Sequence, residues 1–68
     1  MTYTTQKQVR AAFWANHPGM AQAAREAGTL TKGQNAQGTD IRVAFVEYVD
    51  SLARNGDISE TLAQRVTL

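Results

Sequence analysis

Sixty-eight residues allow one domain at most, and a chain this short buries roughly 60% of its unfolded surface, so the core is small. With no Cys and a single His, neither a disulfide framework nor a His- or Cys-based zinc site can be built. Net charge is +1, too small to announce a nucleic-acid partner.

The charge is unevenly spread. Residues 1–39 carry Lys7, Arg10, Arg25 and Lys32 against Glu26, a balance of +3. Residues 40–68 carry Arg42, Arg54 and Arg65 against Asp40, Glu47, Asp50, Asp57 and Glu60, a balance of −2. The first part is therefore the natural surface for an anion, set against plain solvation of scattered charges. The opening "MTYTTQKQVR" lacks an apolar signal core. The apolar runs "AAFWA" and "VAFV" fall far short of the ~20 residues a membrane span needs. A soluble chain of the cytoplasm, with no membrane partner, is the expectation.

The first helix is predicted to begin at Thr5, where Thr5 and Gln8 have capping-box spacing. Val9, Ala12 and Phe13 then recur at helical steps as a core stripe. Pro18 ends the helix, because it disfavours helical geometry at His17 and lacks an N–H. His17 reads as part of that ending; no pattern supplies the nucleophile or acid that a catalytic His needs.

A short second helix is predicted from Met20 to Ala27, with Gly28 suited to its end. It holds almost no large apolar side chain and is expected to be weakly held. The span "TLTKGQNAQGTD" reads as a loop, about 29–39, because two glycines and many polar residues crowd it.

The third helix is the strongest prediction. Asp40 is a good N-cap residue, and Ile41, Ala44, Phe45, Tyr48, Val49 and Leu52 form one stripe. Val46 and Ala53 extend that stripe to roughly half the circumference, which suits a central helix or one with a dimer mate. Asp50 and Arg54 make an exposed i,i+4 pair worth a few tenths of a kcal/mol at about this spacing. "RNGD" stops the helix, and Asp57 with Glu60 predicts a cap for a fourth helix from Ile58 to Val66. No strand pattern appears. The predicted fold is all-α: one domain over 1–68, with three main helices and one short one.

The stretch "AQAAREAGTLTKGQ" raises a helix-turn-helix reading, with Ala24 as the small residue and Gly28 as the turn. The second helix is missing from the pattern. Gly33 and Gly38 would each cost about 1 kcal/mol inside a helix. Gln34 stands where a buried aliphatic residue is needed, and Lys32 is the one cation after the turn. A nucleic-acid role, through Arg25 and Lys32, is kept as the alternative.

Lys7, Arg10 and Trp14 stand at i, i+3 and i+7, on one side of the first helix. A tryptophan beside two cations supplies rigid contact area and charge for an acidic partner. Packing of Trp14 on another helix or on a dimer mate is the competing reading. Asp40, Asp50 and Asp57 lack calcium-loop spacing, and "TKGQNAQG" is not a phosphate loop. No metal, no cofactor and no catalytic residue is expected, and the chain does not read as an enzyme.

"KQVRAAFWANHPGM" and "TDIRVAFVEYVDSLARNGDISETLAQRVTL" together resemble small helical proteins encoded by tailed bacteriophages and prophages. The shared features are the Arg-x-x-Phe-Trp…His-Pro pattern, Thr-Asp-x-Arg, Phe-Val-x-x-Val-Asp and the closing Ile-x-x-x-Leu-Ala. These segments cover nearly two-thirds of the chain. The resemblance implies a phage setting inside a bacterial cell. It also implies action by binding a host or phage protein, with inhibition of a host factor as one outcome. It carries over no site residue.

Overall fold

The computed structural model describes all 68 residues, Met1–Leu68. Helix α1 spans Gln6–Asn16, and its start is set by a complete capping box. Gln8 N–H donates to Thr5 Oγ1 at 3.2 Å, while Thr5 N–H donates back to Gln8 Oε1 at 3.2 Å. Two otherwise orphaned donors are satisfied by neighbours three residues apart. Thr5→Ala should therefore cost about 1 kcal/mol, a fall in Tm of roughly 4–8 °C, measurable by thermal unfolding.

His17 closes α1, donating its N–H to Trp14 O at 3.3 Å. Helix α2 then spans Pro18–Ala27, two residues longer at its start than the predicted Met20–Ala27. The reason is positional: the proline that ends one helix is well placed as the first residue of the next. Its fixed φ is already helical, and its missing N–H is one that no helix start needs. Ala21 and Ala24 are buried, so α2 is held by small side chains that allow close approach to α1.

Gly28 ends α2 in the left-handed region at φ 74°, and Gly56 does the same after the third helix at φ 77°. At both places the chain reverses so that the next N–H reaches back into the last turn. Thr29 N–H donates to Ala24 O at 2.8 Å, and Asp57 N–H donates to Leu52 O at 2.8 Å. A side chain with Cβ is strained in this conformation.

No α-helix follows Gly28 until Thr39; between them lies a single 3-10 turn, Gln34–Ala36. The segment is nevertheless tied down. Gln37 is 5% exposed, the one polar residue in the core. Its amide donates to Thr29 O and to Gly33 O, and its Oε1 accepts from Thr29 Oγ1 at 3.2 Å. The glutamine adds side-chain ties to carbonyls that already accept Lys32 N–H and Ala36 N–H, and so joins the two ends of the loop.

Helix α3 spans Thr39–Arg54. Its N-cap is Gly38, not the predicted Asp40, which lies inside the first turn. There Asp40 still opposes the positive end of the helix dipole, so the acidic residue acts by charge instead of by capping. Ile41, Phe45, Val49 and Leu52 are buried as predicted. Val46 is not: it is 58% exposed, on the outer side of the helix. Ala12 of α1 is likewise only half-buried. Asp50 and Arg54 form their i,i+4 ion pair in the open.

Helix α4 is shorter than predicted, Glu60–Arg65 instead of Ile58–Val66. Its cap is Ser59, whose Oγ accepts from Leu62 N–H at 3.1 Å. Asp57, the predicted cap, instead accepts from the Thr2 hydroxyl at 2.6 Å and, through its carbonyl, from Tyr3 N–H at 2.9 Å. Ile58 and Val66 flank α4 as buried anchors that pin its two ends to the core.

These elements make an all-α fold, elongated at 32 × 19 × 18 Å, in which α1 packs on α2 and α3, and α3 packs on α4. Phe13 lies at its centre, fully buried, with the rings of Trp14, His17, Phe45 and Tyr48 at centroid distances of 5.1, 4.4, 5.1 and 5.7 Å. No helix is long and apolar enough to cross a membrane.

Candidate functional site

The i, i+3, i+7 spacing of Lys7, Arg10 and Trp14 places all three along one side of α1, and the fold turns that side into a groove. Leu30, Thr31 and Gly33 from the loop form the facing wall, and Leu68 closes one end. The hollow measures about 460 Å³ and is open to solvent. Ala11 and Trp14 supply apolar floor from α1; Leu30 and Leu68 add apolar edges.

No carboxylate side chain lines this hollow. Lys7 is exposed and forms no ion pair. Arg10 is half-buried and partly committed: its Nη1 donates to Thr67 O at 3.0 Å. That bond anchors the chain end against α1, while the guanidinium retains further N–H donors for an incoming group. Trp14 is half-buried, with its ring edge-on to Phe13 at an interplanar angle of 64°. The core therefore fixes the indole's position while part of it stays in reach of a ligand. Trp14 packs against the core and also borders the hollow.

Arg25, in the last turn of α2, and Lys32, in the loop, are both exposed and outside the groove. The segment that would have to form a reading helix after Gly28 offers only the three-residue turn Gln34–Ala36.

His17 is taken up by packing. Its ring stacks on Phe13 at 4.4 Å, and Nδ1 donates to Phe13 O at 2.8 Å. Tyr48 receives a hydrogen bond from Asn16 Nδ2 at 3.2 Å. Burial of its phenol, followed by the nearby Tyr3, raises its pKa above the usual 10.0; the Asn16 bond works in the opposite direction.

The groove's second wall was not named from the sequence. Leu30 carried a signal, as the one large apolar residue between Gly28 and Ile41. Gly33 and Leu68 carried none, since their place at the groove depends on how the loop and the chain end return to α1.

No protein-family model, curated protein or solved structure matches the chain.

Proposed function

We propose that this chain is a small phage accessory protein that acts by protein–protein contact and modulates or inhibits a factor of its bacterial host. The phage setting rests on the resemblance of the two sequence segments. The mode of action is supported by one observation above the others: Lys7, Arg10 and Trp14 border a single open groove with apolar walls and no acidic side chain. A tryptophan fixed by core packing presents rigid area at low entropic cost, and flanking cations favour an acidic partner segment. The nucleic-acid alternative has less behind it, since Arg25 and Lys32 stand outside the groove and no helix of useful length follows α2 directly.

The test is a tagged pull-down from bacterial lysate, with and without nuclease, followed by affinity measurement on the retained partner. A protein partner that survives nuclease is expected. Trp14→Ala should weaken it by roughly 2 kcal/mol, about 30-fold, and the Lys7→Glu variant should weaken it without unfolding the chain. Lys7 is exposed, so its loss isolates the surface from the core. Binding untouched by both variants would reject the groove. Binding that disappears with nuclease and falls steeply with salt would favour the nucleic-acid reading.

A further inference from the structure

Val43 and Val46 are 50% and 58% exposed, and apart from Met1 they are the exposed large apolar residues of the chain. They stand three residues apart on α3, on one face. Val46 borders three adjoining hollows, which together form a trough along the outer side of α3 and against Ala63 of α4. None of the residues lining this trough lines the Lys7–Arg10–Trp14 groove.

The charges on this face are ordered. Arg42, Val46 and Asp50 follow at i, i+4 and i+8, so a cation lies one turn before the valine and an anion one turn after it; Glu47 borders the same trough, and Asp50 also holds Arg54 of its own chain. Arg42 is not fully used within its own chain. Its Nη2 donates to Thr39 Oγ1 at 3.3 Å, while its Nε is buried without a partner.

We infer that the outer face of α3, centred on Val46, takes a second copy of this chain, with the two α3 helices antiparallel across a two-fold axis. In that arrangement positions equally far before and after Val46 come level. Arg42 of each copy stands level with Asp50 of the other, and Val43 stands level with Val49. A two-fold contact must be complementary to itself, and a plus–apolar–minus stripe satisfies that condition when one copy is reversed. A partner of uniform charge would meet a like charge at one end. A parallel copy would set Arg42 against Arg42. Association would also cover the two valines, the apolar area that the small core leaves in water.

Sedimentation equilibrium on the full chain across a concentration series tests the assignment. The wild-type chain is expected to form a reversible dimer. Val46→Asp should be monomeric with unchanged far-UV circular dichroism; Val43→Asp, on the same face, serves the same purpose if the first variant fails to fold. Arg42→Asp should weaken dimerisation at least tenfold, and the Arg42→Asp/Asp50→Arg exchange should recover it. A wild type that stays monomeric overturns the proposal, including one that uses Val46 to hold a different protein. A dimer indifferent to both valine variants, or a charge exchange that recovers nothing, overturns it as well. None of these results bears on the groove of α1, which is scored by its own variants.

Discussion

Phe13→Ala should leave the chain without a cooperative unfolding transition at room temperature. Phe13 has no exposed surface and touches rings from α1, from α3 and from His17 at the junction of α1 and α2. Truncating a buried Phe to Ala costs about 3–5 kcal/mol, from lost transfer energy and the cavity left behind. Each edge-to-face or offset ring pair adds about 0.5–1.5 kcal/mol beyond burial. A single core of this size supplies only about 3–5 kcal/mol in total, so one substitution matches the whole. Just 11 of 68 residues are buried, and no disulfide exists to hold the remainder together. Chemical denaturation followed by circular dichroism checks this. A two-state transition with a midpoint close to wild type would show that the aromatic cluster is not the keystone of the fold. Phe13→Leu should keep the transition and lower its midpoint, because the leucine fills most of the cavity.

The second large effect is expected at Gln37. Gln37→Ala removes an amide that donates twice and accepts once, three ties across the loop, while Thr29 O, Gly33 O and Thr29 Oγ1 keep their bonds to Lys32 N–H, Ala36 N–H and Ala24 O. Each intramolecular hydrogen bond contributes about 0.5–1.5 kcal/mol net, and three are lost together. A loss of about 2 kcal/mol is expected, well above that of an exposed substitution. The effect should be local as well as global. Backbone N–H groups of residues 29–38 should exchange with solvent far faster than those of α3 when followed by native-state hydrogen exchange. Leu30, Thr31 and Gly33 form the far wall of the groove, so the same variant should weaken a groove-bound partner without touching it. Protection of the loop equal to wild type would show that the glutamine is dispensable to it.

The groove and the α3 face illustrate two ways in which a small protein exposes apolar area. In the groove the indole is braced from behind by Phe13 and flanked by cations, which suits a foreign acidic segment. On α3 the valines lie between opposite charges, which suits the same face reversed.

Much of this fold was legible in short-range chemistry. Thr5 and Gln8, Pro18, Gly28 and Asn55-Gly56 act within one helical turn, so spacing along the chain determined where helices begin and end. The buried stripe of α3 and the shared side of Lys7, Arg10 and Trp14 were legible too, because helical periodicity sets them before any packing occurs. Tertiary structure decided the rest. Whether Val46 faced core or water depended on where α1 and α4 lay around α3, and a stripe half a circumference wide does not tell its edge from its centre. Asp57 was drawn from capping α4 to hold Thr2 and Tyr3, a contact spanning most of the chain. Gln37 looked like one more polar loop residue until the loop folded back over it. In each case the deciding partner was distant in sequence, and composition and spacing carry no information about which distant groups will meet.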